Sequence, residues 1–152
     1  MLKRSTTTRC VGACVLLGST MLFGGCRVLG GAPDVEYARS YPRATPSGDV
    51  LDIQVFRSGT KLTMTNSTSR SFGPSTLWVN ERFSRPIDGF EPGETLTLDL
   101  YEFRDQYQDQ FRAGGFFATR DPDPVVLVQL ETGPEDASDE MIGFVIVSDD
   151  IN

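Results

Sequence analysis

The stretch VLDIQVF, residues 50–56, decides the fold class of this chain. Leu51, Ile53 and Val55 alternate with polar residues, so the apolar side chains of an extended segment would share one face. A half-buried β-strand has this period of two residues. Residues 50–56 therefore predict a strand that packs one face against a core.

Similar stretches follow, separated by turn residues. Residues 61–66 and 95–101 alternate in the same way, and Pro92-Gly93 suits the two central positions of a type II turn. The runs 125–130 and 141–147 are apolar at nearly every position, which indicates central strands covered on both faces. Further strands are predicted at 76–83 and 115–120.

One segment departs from the strand pattern. Phe103, Tyr107 and Phe111 are four residues apart, a spacing that places them on one stripe of a helix. Gly114-Gly115 follows and would end that helix. We expect one short helix or helical turn here, lying over the end of the β-structure.

The turn residues between Leu62 and Leu98 resemble those of small bacterial immunoglobulin-like domains. In such domains a strand ends in an Asn-Ser/Thr turn, as at residues 66–68, and Pro-Gly-Glu opens a later strand, as at residues 92–94. The resemblance implies an all-β fold, an immunoglobulin-like antiparallel β-sandwich of about seven strands over residues 50–152. The chain departs from antibody domains because no cysteine pair flanks Trp78.

The first 25 residues have the layout of a secretory signal peptide. Three basic residues precede a mostly apolar run at 11–25, which is short for a membrane span of about 20 apolar residues. The run ends in Phe23-Gly24-Gly25-Cys26, which resembles the lipobox of bacterial lipoproteins, although Phe23 stands where Leu, Val or Ile is usual. The resemblance implies cleavage between Gly25 and Cys26 and lipidation of Cys26.

Other interpretations of this region stay open. Val11-Gly12-Ala13-Cys14 also matches the lipobox, but no apolar segment precedes it. Cleavage near residues 30–32 without lipid, or an uncleaved anchor, are further alternatives. Arg27 after the cysteine resembles lipoproteins sorted to the outer membrane, which implies a protein anchored there and facing the periplasm.

Removal of the signal changes the net charge from −7 to −10, because the signal contains three basic residues and no acidic ones. This balance opposes binding to nucleic acid, which depends on Lys and Arg contacts with phosphates. Residues 26–49 are rich in proline and glycine, and they predict a flexible tether between Cys26 and the domain.

Groups for common catalytic chemistry are scarce. The chain has no histidine, Lys61 is its one lysine after the signal, and lipidation of Cys26 would leave no free thiol. A serine triad and a cysteine nucleophile are thereby excluded. We predict a protein that is not an enzyme, without cofactor or metal, and interpret its acidic clusters at 121–123, 135–140 and 149–150 as solvated loops. A minor carboxylate-dependent hydrolase is an alternative on residue type.

An aromatic and arginine-rich stretch at 103–120 is the most distinctive remaining feature. Arg, Tyr and Trp are enriched at the energetic centres of protein interfaces, and aromatic rings also stack on sugars. We predict an envelope lipoprotein that contacts a protein partner or serves as an accessory subunit; the alternative is a small-ligand or carbohydrate-binding module that uses aromatic residues of 103–117. The candidate binding patch consists of Trp78, Phe103, Arg104, Tyr107, Phe111 and Arg112.

Overall fold

The structure is a computed structural model that describes residues 38–132 and 139–147. All of them belong to one compact unit of the chain, residues 32–152. Several sequence predictions lie outside the described residues: the signal peptide 1–25, Gly25 and Cys26, the tether as far as residue 37, and the acidic residues at 135–136 and 149–150.

The alternation at 50–56 extends in both directions and forms the longest strand among the described residues, which confirms that prediction. Six more strands follow in the described part of the chain. Their bounds are β1 (Ser47–Ser58), β2 (Lys61–Thr65), β3 (Ser75–Val79), β4 (Phe83–Ile87), β5 (Thr95–Asp99), β6 (Val128–Glu131) and β7 (Met141–Val147).

All seven strands belong to one sheet with the order β4-β3-β6-β7-β1-β2-β5, which curls into a half-barrel. β7 joins two three-stranded antiparallel halves: it pairs antiparallel with β6 on one side and parallel with β1 on the other. The two apolar runs at the C-terminal end of the chain therefore supply strands in the middle of the sheet, as predicted.

The all-β prediction is confirmed, but the immunoglobulin-like antiparallel sandwich is not. A sandwich has two separate sheets, whereas these strands form a single hydrogen-bonded sheet, and the pair β1–β7 is parallel. The half-barrel solves the same physical problem differently, because its curvature lets one face of a single sheet enclose a core.

The core lies on the inner face of the half-barrel. Buried residues of all seven strands contribute to it, and phenylalanine rings from the connecting segments complete it. Isolated bridges pair Phe72 with Phe90 and join Arg104 to Ser84 of β4, so connecting segments are also hydrogen-bonded to the structure. Prominent buried members are Ile53, Val55, Leu62, Met64, Phe72, Leu77, Phe90, Phe103, Phe111, Leu130, Ile142 and Phe144.

Of two further strand predictions, the one at 76–83 is wrong in its extent and the one at 115–120 is wrong. Residues 76–83 are not one strand, because Asn80 and Glu81 both have φ values near +55° and turn the chain into a hairpin between β3 and β4. Residues 115–120 lie in a loop with no strand pairing. In contrast, the predicted turn at Pro92-Gly93 is present: Gly93 has a φ of +80°, and the Glu94 amide donates to the Glu91 carbonyl.

The predicted helix over 103–111 is also wrong. The described helical turn is a 3₁₀ turn just before it, Leu100–Glu102. Residues 103–111 form a narrow turn instead, which we call the Asp105 turn: its ends are joined where the Phe111 amide donates to the Phe103 carbonyl at 3.1 Å. Asp105 accepts backbone hydrogen bonds from Tyr107 and Asp109, both at 2.9 Å, and this competes with helical hydrogen bonding.

Candidate interaction surface

The residues of the predicted binding patch do not form one surface. Three of them are fully buried, Arg104 is half-buried, and two are exposed. The aromatic spacing that suggested a helical stripe instead places the two ends of the Asp105 turn in the core and its middle in solvent. The buried residues are Trp78, Phe103 and Phe111, and the exposed ones are Tyr107 and Arg112.

Trp78 is buried for a different reason from the two phenylalanines. It is absent from the inner core cluster, while its neighbours Leu77 and Val79 belong to it, so the indole lies on the outer face of β3. Residues 38–46, which we call the strap, cover it there. Tyr41 of the strap contacts the indole edge to face, with ring centroids 5.3 Å apart.

The polar contacts of Trp78 also involve the strap. The indole Nε1 donates to Glu131 Oε2 at 2.7 Å, and Arg39 forms an ion pair with the same oxygen. The strap is therefore the part of the predicted tether that the structure describes, together with the first residues of β1, and it lies against the sheet.

Among the described residues, the most exposed aromatic ones are Phe116 and Phe117, which lie within the predicted aromatic range 103–117 but were not in the candidate binding patch. They lie in residues 112–127, a stretch without regular secondary structure that we call the aromatic loop. Their side chains are 95% and 90% exposed, and the two rings contact each other edge to face with centroids 5.0 Å apart. Val126 of the same loop is also exposed.

The base of the aromatic loop is fixed by Arg57 of β1. Its guanidinium donates to the carbonyl of Ala113 at 2.9 Å and to the carbonyl of Asp123 at 2.6 Å, so one side chain joins the two sides of the loop. Burial lowers the pKa of Arg57 and the charge of Asp123 opposes that shift. An arginine pKa lies so far above neutrality that the guanidinium stays charged.

Further contacts hold the loop at three more points. Arg112 forms an ion pair with Asp123, and the Tyr101 hydroxyl donates to the Gly114 carbonyl. At the C-terminal side, the Asn80 side chain donates to the Pro124 carbonyl at 2.7 Å and accepts from the Val126 amide at 2.9 Å. The tip with Phe116 and Phe117 is thus presented from a constrained base.

Two concave regions border the aromatic loop and the Asp105 turn, respectively. A depression of about 570 Å³ lies beside the aromatic loop and is lined by Arg57, Pro122 and Ile146, among others. A smaller one of about 230 Å³ lies between the strap and the Asp105 turn, with Tyr41, Arg82 and Tyr107 in its walls. Both are open and have mixed polar and apolar walls, which suits contact with a larger molecule.

The described residues show no arrangement typical of a metal site: they contain no group of three or more acidic, cysteine or histidine residues placed to hold an ion. A cleft of about 450 Å³ at the other end of the sheet is lined by Asp88, Glu131 and Asp139. Of these carboxylates, Glu131 is engaged by Trp78 and Arg39. Within the described residues, no helix is both long and apolar enough to cross a bilayer.

The sequence did contain a signal for the aromatic loop. Gly114-Gly115 before the two phenylalanines and the alternating Asp-Pro residues at 121–124 after them are turn-forming residues, and together they indicate a loop rather than a strand. Adjacent aromatic residues in a loop cannot both reach a core as easily as alternating residues of a strand. The exposure of Phe116 and Phe117 follows from that placement.

Comparisons with known proteins identify no relative that could assign a role to this surface. The searches found no match to the chain among protein-family models, curated proteins or solved structures.

Proposed function

We propose that this protein is an exported, lipid-anchored envelope protein, not an enzyme, that binds a protein partner through its aromatic loop. The observation that carries the binding surface is the nearly complete exposure of Phe116 and Phe117 on a loop with a fixed base. Aromatic side chains contribute large contact areas, and a loop that is already ordered loses little conformational entropy on binding.

Export and anchoring are supported by the sequence of the first 26 residues. A basic start, an apolar run and the lipobox-like Phe23-Gly24-Gly25-Cys26 occur in the order that such signals require. Two or more acyl chains on Cys26 would hold the protein durably, because each buried CH₂ contributes about 0.8 kcal/mol. Arg27 supports sorting to the outer membrane, facing the periplasm.

The position of the strap favours a protein over the bilayer as the partner of the aromatic loop. Arg39 lies beside Glu131, at the end of β6 that is farther from the loop, whereas the loop leads into the other end of β6 at Val128. The described part of the chain therefore begins near the end of β6 that lies away from the base of the aromatic loop. The acidic net charge also opposes attraction to anionic lipid head groups.

The experiment for the surface is site-specific photocrosslinking in intact cells. A photoreactive phenylalanine analogue at position 116 or 117 should give a defined protein adduct, and the same analogue at Tyr107 serves as the control because that ring is also exposed, at 74%. Adducts with lipid alone, or equal protein adducts from position 107, would contradict the proposal.

Anchoring is tested separately. Metabolic labelling with palmitate should tag the wild-type chain and not a Cys26→Ser variant, and that variant should leave the membrane fraction. A chain that is unlabelled, or a variant that fractionates as the wild type does, would contradict lipidation while leaving the aromatic loop to be judged by crosslinking.

A second candidate, a small-ligand or carbohydrate-binding module, is favoured by the depression between Tyr41 and Tyr107, because it combines aromatic walls with arginine and carboxylate groups. Glycan binding that is lost in a Tyr107→Ala variant would support it.

The likeness to immunoglobulin-like domains remains a prediction: the residues that carry it do occupy turns, while the strand order is that of one mixed sheet.

A further inference from the structure

The outer face of β3 and β6 has the chemistry of a recognition site. Trp78, Gln129 and Glu131 lie side by side there, because Trp78 and Gln129 are register partners and Glu131 is two residues further along β6. An indole face, an amide and a carboxylate together offer one apolar and two polar contacts. Without a segment to cover this face, the Trp78 ring would lie in solvent.

Arg39 of the strap makes two kinds of contact with this face. Its guanidinium forms the ion pair with Glu131, and its Cζ atom lies 5.4 Å from the centroid of the Trp78 ring. A planar guanidinium suits both contacts at once, whereas a lysine ammonium could not stack in the same way. The face therefore discriminates in favour of arginine.

Tyr41 makes the next contact, two residues later. Its ring contacts Trp78 edge to face, and its hydroxyl donates to Gln129 Oε1 at 3.0 Å. Ser40 between them is exposed. This is the spacing of an extended peptide, in which alternate side chains point to the same side.

We infer that the Trp78–Gln129–Glu131 face is a binding site for an extended segment that carries an arginine and, two residues later, a tyrosine. The chain's own Arg39 and Tyr41 occupy this site in the structure. A partner segment of the same chemistry binds there only when the strap has left. This inference does not depend on the aromatic loop.

The way the strap is held supports a reversible occupant. Among the described residues, its backbone hydrogen bonds are local, from Arg43 to Tyr41 and from Thr45 to Pro42, until Pro46 accepts from Met141 at the start of β7. Before Pro46, the strap contacts the sheet through its side chains. It can therefore leave without breaking any strand pairing. Arg39 is also about half exposed, which gives solvent access to the ion pair.

Trp78 is the single tryptophan of the chain, so its fluorescence reports directly on the site. In an Arg39→Ala/Tyr41→Ala double variant of the full chain, we expect the emission to shift to longer wavelength and acrylamide quenching to rise several-fold. A Ser40→Ala variant is the control, since Ser40 lies between the two contact residues of the strap and is exposed. Its emission should stay as in the wild type.

The binding site itself is tested by adding a peptide with the sequence of residues 37–45, YARSYPRAT, to the double variant. A tethered segment has an effective concentration on the order of millimolar, so the free peptide is titrated into that range. Saturable reversal of the emission shift is expected. A control peptide in which alanine replaces the residues at the positions of Arg39 and Tyr41 should have no effect.

Three outcomes would overturn the inference. The double variant could keep the emission and quenching of the wild type, which would mean that the strap does not shield Trp78. It could lose cooperative unfolding, which would make the strap an integral part of the fold. Or both peptides could act equally, which would remove the requirement for arginine and tyrosine.

Discussion

The Asp105 turn and the aromatic loop follow each other in the chain and contain similar residues, yet they place their aromatic rings in opposite environments. In the turn, Phe103 and Phe111 point into the core; in the loop, Phe116 and Phe117 point into solvent. Both segments are fixed by a charged side chain at the base. Asp105 anchors the turn and Arg57 anchors the loop.

The two segments differ in where their backbone places the aromatic side chains. The two phenylalanines of the turn stand at its joined ends, next to the sheet, and Phe111 packs against Phe83 with ring centroids 5.1 Å apart. The two phenylalanines of the loop stand at its far side, away from Arg57. Aromatic content alone therefore does not say which ring is structural and which is available for binding.

The largest expected effect contrasts one ring of each segment. Phe111→Ala should lower the free energy of unfolding by about 3–5 kcal/mol, because it removes a fully buried ring from the core. Phe117→Ala should change it by less than about 0.5 kcal/mol, because that ring is in solvent. Urea unfolding of both variants measures this, and similar losses would break the comparison.

The next effect concerns the anchor of the turn. Asp105→Ala should cost about 2–3 kcal/mol, since it leaves backbone amides of Tyr107 and Asp109 without their acceptor and removes the partner of Arg82. Asp109→Ala is the matched control, because Asp109 is exposed and contributes its backbone to the turn. Equal stability of the two variants in chemical denaturation would show that the carboxylate does not hold the turn.

A glycine of the loop gives a smaller effect. Gly114 has a φ of +85°, and a Cβ there would lie 3.0 Å from Pro122 Cβ; Gly93 has a φ of +80° and no atom within 4 Å of the same position. Alanine at either site should cost about 1–2 kcal/mol through backbone strain. Thermal unfolding should show a further loss at Gly114 from the contact with Pro122. Equal losses would mean that the loop relaxes freely.

The smallest effect is a dependence on pH. Burial by itself raises the pKa of Asp105, but the hydrogen bonds from Arg82, Tyr107 and Asp109 and the charge of Arg82 outweigh it, so the pKa lies below the ordinary 3.8. The resulting stabilisation is fully present well above pH 3.8 and is lost as the pH falls through the lowered pKa. As the pH falls through that range, the free energy of unfolding should decrease more steeply for the wild type than for Asp105→Asn. Parallel curves would contradict it.

Strands with a clear period of two could be predicted from the sequence, because the alternation of apolar and polar residues is visible within each strand. β1, β2 and β5 are examples, and the continuous apolar run of β7 correctly indicated a central strand. The strand order could not be predicted in this way. It depends on β7 entering between β1 and β6, a long-range pairing that leaves no local trace.

The candidate site was less predictable, for identifiable reasons. The spacing of Phe103, Tyr107 and Phe111 matches a helix, but hydrogen bonds to Asp105 decide the backbone there. Trp78 has an aromatic side chain that a surface could use, but the strap covers it. Both outcomes depend on contacts between residues whose types, taken alone, allow either arrangement.

The strap would have a mechanical consequence if the protein is anchored through Cys26 as proposed. A pull transmitted through the linker reaches the contacts of Arg39 and Tyr41 before it reaches β1, and these contacts are loaded one after another, as in peeling. Beyond Pro46 the force enters β1, which has a neighbour on each side, β7 and β2. There the hydrogen bonds of a long strand share the load, so the strap would yield first and spare the sheet.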